Sequence, residues 1–108
     1  MTIDPNEAIN FMIKNAEAYA QAKAEVTYLT EYRKTVKSQG ILRSLKNTVV
    51  EKEADAYTTV DYKTCVEGLR EAVAEAERLR WMLVAAQARI DVWRSQEASN
   101  RSIERSTY

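Results

Sequence analysis

Ten positions between residues 62 and 93 follow one another in steps of three and four, and each carries an apolar or amphipathic side chain. The ten residues are Tyr62, Cys65, Leu69, Ala72, Ala76, Leu79, Leu83, Ala86, Ile90 and Trp93. This spacing puts all of them on one face of a helix, as in the packed seam of a coiled coil. It predicts one long helix from about residue 59 to the high nineties. Gly68 lies beside the seam, where it would permit a close helix crossing.

Little in the rest of the chain interrupts a helix. Only two glycines and one proline occur in 108 residues, whereas strand-rich domains need turn residues at roughly every 8–12 positions. Asp4 and Pro5 predict the start of a first helix, and Gly40 in a left-handed conformation predicts its end after about residue 38. Arg33 interrupts the expected apolar stripe of this helix, which consists of Ile9, Met12, Ala16, Tyr19, Ala22, Val26, Leu29 and Val36.

A shorter second helix is expected after Gly40. Its apolar face would consist of Leu42, Leu45, Val49 and Ala56. The β-branched run at residues 58–60 lowers helix propensity, and Thr58 with Asp61 resembles a capping box. These features predict a break near residues 57–59. One continuous helix from residue 41 to about 98 is the alternative.

The fold expected from these patterns is all-α, with three helices of which two are long. The length of 108 residues favours a single domain over residues 1–108. The seam ends at Trp93, so residues 99–108 are expected to form a flexible tail.

The apolar surface of the third helix exceeds what one seam can bury. Trp81, Met82 and Val84 lie off the seam, and the short second helix cannot cover both long helices. A second copy of the chain would complete the bundle, so a homodimer is expected. The residues expected to mediate self-association are Leu79, Trp81, Met82, Leu83, Val84, Ile90 and Trp93.

The residue types argue against catalysis. The chain has no histidine, one cysteine and no phosphate-binding glycine loop. Glu67, Glu71 and Glu75 share a helix face, but the Glu-x-x-His motif of di-metal bundles is missing. The sequence therefore predicts a non-enzymatic protein without a cofactor or a metal.

Charge and hydropathy bound the location and the partners. Sixteen basic and sixteen acidic residues give zero net charge, so bulk charge favours neither nucleic acid nor membrane. The N-terminus has no signal-peptide pattern, and no apolar run is long enough to span a membrane. A cytoplasmic protein without a membrane partner is expected. The single cysteine also favours this location, because it excludes an intrachain disulfide and so fits a reducing compartment.

One local basic run provides a candidate nucleic-acid contact. No acidic residue lies between Arg33 and Lys46, and the cations of this segment are Arg33, Lys34, Lys37, Arg43 and Lys46. Such a cluster could contact phosphates. The alternative is that these cations serve helix-end electrostatics and ion pairs.

Two stretches, YLTEYRK in the first helix and LRWMLVAAQARIDVWRSQEASNR in the third, resemble small helical proteins of tailed bacteriophages and prophages. Those proteins are often encoded among genes for recombination and replication. The resemblance implies an accessory protein of phage DNA metabolism in the host bacterial cytoplasm. An inhibitor that binds a host nuclease or defence complex, and a structural assembly factor, are the alternatives.

Overall fold

The computed structural model describes residues 3–107, which form three helices and no strand. Helix α1 spans Pro5–Arg43, α2 spans Val49–Tyr57 and α3 spans Val60–Thr107. The predicted all-α fold with two long helices is confirmed, and α3, with 48 residues, is the longest element. The chain divides into two compact units. Unit 1 contains the residues up to Tyr19 and from Arg78 onward, and unit 2 is Ala20–Glu77.

The seam predicted for α3 is confirmed at all ten positions, each of which is buried or half-buried. The other described α3 residues are exposed, apart from the half-buried Gly68 and Arg80. In unit 2 this face packs on α1, where the Cys65 thiol lies 3.9 Å from the Leu29 carbonyl oxygen. The thiol is buried, as expected for a cysteine on the seam.

Helix α1 presents a matching seam whose phase differs from the predicted one at the N-terminal end. Ile9 and Ala16 are exposed, and the preceding residues, Ala8 and Asn15, are turned inward instead. Asn15 can be half-buried because its side-chain amide donates a hydrogen bond to the Phe11 carbonyl oxygen at 2.9 Å. Together with Ala8 and Asn15, the other seam positions follow the same three-and-four spacing: Met12, Tyr19, Ala22, Val26, Leu29, Arg33, Val36 and Gly40.

The end of α1 is not where Gly40 predicts it. The start is as expected, with the Asp4 carboxylate accepting a hydrogen bond from the Asn6 N–H at 2.9 Å. The helix then continues through Gly40 to Arg43, and no glycine has a positive φ. Gly40 is buried because α2 crosses it. A Cβ at this position would lie 2.8 Å from the Cα of Ala56.

Helix α2 is held against α1 by small and polar residues rather than by the predicted apolar face. Ala56 is fully buried on Gly40, and the Ser44 hydroxyl donates to the Asp55 carboxylate at 2.7 Å. Leu42 and Leu45 are 84% and 96% exposed, and Val49 is exposed as well. The prediction of one buried face was therefore correct only for Ala56.

The break between α2 and α3 is confirmed, but the capping residue differs from the predicted one. Thr58 closes the C-terminal end of α2, where its N–H donates to the Asp55 carbonyl at 3.1 Å and the N–H of the next residue donates to the Ala56 carbonyl at 3.4 Å. Thr59 caps α3, since its hydroxyl oxygen accepts a hydrogen bond from the Tyr62 N–H at 3.1 Å. The same hydroxyl donates to the Ala56 carbonyl oxygen at 2.9 Å, which ties the two helix ends together.

Replacing Thr59 with alanine is expected to lower the free energy of unfolding by about 1 kcal/mol, because the first turn of α3 loses its side-chain acceptor. Thr27 provides the matched control, since it lies within α1 and its exposed hydroxyl bonds only to the Lys23 carbonyl. Thr27→Ala should be neutral or slightly stabilising, because alanine has the higher helix propensity. Urea unfolding followed by circular dichroism measures both. Equal midpoints for the two variants would contradict the capping role.

Helix α3 does not end near residue 98. It continues to Thr107, and all its residues from 94 to 107 are exposed. The predicted flexible tail thus lies in a helical segment, apart from residue 108, which is outside the described residues.

Candidate functional site

The five cations of the basic run occupy different environments. Arg33 is half-buried in the α1 seam. Lys34 pairs with Glu31 at 3.1 Å, and Arg43 pairs with Asp61 at 3.6 Å. Lys37 lies over the ring of Tyr57, 4.9 Å from its centroid. Only Lys46 stands beyond the end of α1 as an exposed side chain without one of these contacts.

Helix geometry explains why these residues do not form a single patch. Successive residues of an α-helix are rotated by about 100°, so a contiguous run is distributed around the axis. Arg33 and Lys37, four residues apart, share the inward side, whereas Lys34 and Arg43 point elsewhere. A hydrogen bond with Tyr57 raises the pKa of Lys37 above its ordinary value, against an opposing effect of desolvation. The ammonium group of Lys37 is therefore held next to the Tyr57 side chain.

The residues expected to mediate self-association divide into two groups. Leu79 is buried in the α3 seam, where Leu83, Ile90 and Trp93 are half-buried. Trp81, Met82 and Val84 are exposed on α3. The first group therefore contributes to the packing of a single chain, and only the second is available to a partner.

Unit 1 carries an apolar face on the outer side of α3. Four exposed residues, Trp81, Ala85, Ala88 and Val92, follow one another in steps of four, three and four, and they are termed the α3 stripe. Trp81 is 59% exposed, and the guanidinium of Arg80 lies 4.5 Å from its ring centroid. Arg89 is adjacent to the stripe and forms no ion pair within residues 3–107.

Unit 2 contains an open groove of about 650 Å³ between α1 and α3. Its floor consists of the buried or half-buried residues Leu29, Val36, Cys65, Gly68 and Ala72. Exposed carboxylates of Glu25, Asp61 and Glu71 line its rim. This groove, termed the acidic groove, has no lysine or arginine among the described residues that line it.

Groups that could carry chemistry are sparse in residues 3–107. No cluster of three or more acidic or cysteine residues is arranged to hold a metal ion there. Glu67, one of three carboxylates on a common helix face, pairs with Arg70 at 3.7 Å. Within the described range, none of the helices has a stretch that is both long and apolar enough to cross a membrane.

The fold defines an all-α protein built on two long helices that pack along a shared seam. No family model, no curated protein and no solved structure matches the chain. The resemblance to phage proteins therefore stays a prediction, and the surfaces of the molecule are the basis for any functional proposal.

Proposed function

We propose that this chain is a non-enzymatic helical module that works by self-association, with the α3 stripe as its contact surface. The observation that carries this proposal is the exposure of Trp81 and Val92 on a helix whose opposite face is already occupied by α1. Burial of apolar surface provides about 25 cal/mol per Å², so such a face favours a helical partner over water. Tryptophan is also enriched among the residues that dominate binding energy at interfaces.

A second copy is the simplest partner for this face. Both copies would bury the same kind of stripe, and two-fold pairs are the commonest soluble oligomers. The accessory role in phage DNA recombination or replication is supported only by the sequence resemblance. A host-protein inhibitor and an assembly factor would be the same module with a different protein on the stripe.

Nucleic-acid contact through the basic run has less support than self-association. Three of its five cations, Lys34, Lys37 and Arg43, are engaged with neighbouring side chains. A phosphate contact made by any of these three cations would compete with its present interaction, although exposed ion pairs cost little to break. We therefore place any DNA contact second to protein contact.

Sedimentation velocity at tens of micromolar should give a mass of at least twice 12.4 kDa. Trp81→Glu should shift the protein to a monomer, because a carboxylate in an apolar interface is desolvated without a partner. Leu45→Glu is the matched control. It also introduces a carboxylate at an exposed apolar position, but in the connection between α1 and α2, so its mass should equal that of the parent. A monomeric parent protein would refute the proposed function.

A further inference from the structure

Gly68 is a glycine that the packing of the chain does not require. A Cβ there would meet only the Cδ1 of Leu29, at an ordinary contact distance of 3.7 Å. Glycine within a helix nevertheless costs about 1 kcal/mol relative to alanine. The position lies in the floor of the acidic groove, where a missing side chain lets another helix approach closely.

The rim of the acidic groove defines the charge of its occupant. Glu25 and Glu71 are exposed, and neither forms an ion pair within residues 3–107. Asp61 pairs with Arg43, but both side chains are largely exposed and the contact of 3.6 Å is weak. An occupant should therefore combine a narrow apolar face with flanking cations, since complementary charges favour and orient association.

The α3 stripe has these properties. Ala85 and Ala88 at its centre are small enough to approach Gly68, and Trp81 and Val92 provide apolar area at its two ends. Arg89 lies beside the stripe and provides the flanking cation. On the basis of the self-association proposed above, we infer that the acidic groove of one copy receives the α3 stripe of a second copy, with the second copy's Arg89 facing Glu25 and Glu71.

Each copy carries one groove and one stripe, so a substitution made in the chain is present in every copy that takes part in the contact. Exchanging the charges of the groove and the stripe within one chain therefore exchanges them on both sides of the contact.

Charge exchange tests the pairing. Glu71→Arg and Arg89→Glu, each alone, should raise the dimer dissociation constant by about tenfold or more, because like charges then face each other. The double variant Glu71→Arg/Arg89→Glu should restore most of the affinity. Glu97→Arg is the control, because it also reverses an exposed glutamate on α3 but lies outside the acidic groove and the α3 stripe. Sedimentation velocity over a dilution series gives each constant.

Gly68→Ala provides a test that does not depend on charge. The methyl group should raise the dissociation constant by filling the groove, while the midpoint of urea unfolding at a concentration where all variants are monomeric should rise. A dimer that Trp81→Glu dissociates, but that is unchanged by Glu71→Arg and by Gly68→Ala, would overturn the groove as the receiving surface and leave self-association through the stripe intact. A parent protein that is monomeric would overturn both.

Discussion

Replacing Leu79 with alanine is expected to lower the free energy of unfolding by about 2–5 kcal/mol. Leu79 is 3% exposed and is the largest side chain among the buried apolar residues of the described chain. The others are alanine, valine and cysteine at Ala8, Val36, Ala56, Cys65, Ala76 and Ala86. A core built of such small residues has few long side chains that could move into the space left by a leucine. The cavity should therefore stay open, and the decrease in the free energy of unfolding should fall within this range.

Leu42→Ala is the matched control for this substitution. It removes the same atoms from a side chain that is 84% exposed, so the free energy of unfolding should change by no more than about 0.5 kcal/mol. Urea unfolding at a fixed protein concentration measures both variants, and similar slopes of the two transitions would show that stability alone has changed. If Leu79→Ala unfolds at the same urea concentration as the parent, the α3 seam is not the main source of stability.

The α3 seam could be predicted from the sequence because its pattern is uninterrupted. All ten positions are apolar or amphipathic, so only one helical phase buries them together. In α1 the pattern is ambiguous near the N-terminal end, where apolar Ile9 and Ala16 compete with the phase of Ala8 and Asn15. A hydrogen bond to the Phe11 carbonyl lets Asn15 take the inward position, and residue hydropathy does not register such a bond.

The connection between α1 and α3 could be predicted only in part. β-branched residues indicated the break at 58–59, which depends on local backbone preference. The packing of α2 depends instead on a tertiary contact. Glycine is favoured both at helix ends and where two backbones approach, and Gly40 serves the second purpose through its contact with Ala56. Sequence spacing cannot separate these two uses.

The candidate surfaces could also be predicted from the sequence only in part. The exposure of Trp81 and Val84 follows from their positions off the seam, so their availability to a partner could be anticipated. The acidic groove could not, because Glu25 and Glu71 are far apart in the sequence and come together only when α1 packs on α3. The basic run was a contiguous signal, and helical rotation and the ion pairs of Lys34 and Arg43 separate its members.

Gly40→Ala is expected to destabilise the protein by about 1–3 kcal/mol, even though alanine is the better helix former. The new Cβ would lie 2.8 Å from the Cα and 2.9 Å from the Cβ of Ala56. Neither of these atoms is the end of a flexible side chain, so α2 must move away from α1. This displacement would also weaken the hydrogen bond between Ser44 and Asp55 and the contact of Lys37 with the Tyr57 ring.

Gly68→Ala, the other glycine substitution in the chain, separates the effect of the contact from that of helix propensity. Its Cβ would meet an ordinary contact at 3.7 Å, so only the gain in propensity remains, and stability should rise by up to about 1 kcal/mol. Urea unfolding of the two variants at a concentration where both are monomeric should therefore move in opposite directions. Amide hydrogen exchange should also be faster in α2 of Gly40→Ala, because a displaced helix of nine residues is not stable alone. A Gly40→Ala protein as stable as Gly68→Ala would mean that α2 does not pack on Gly40.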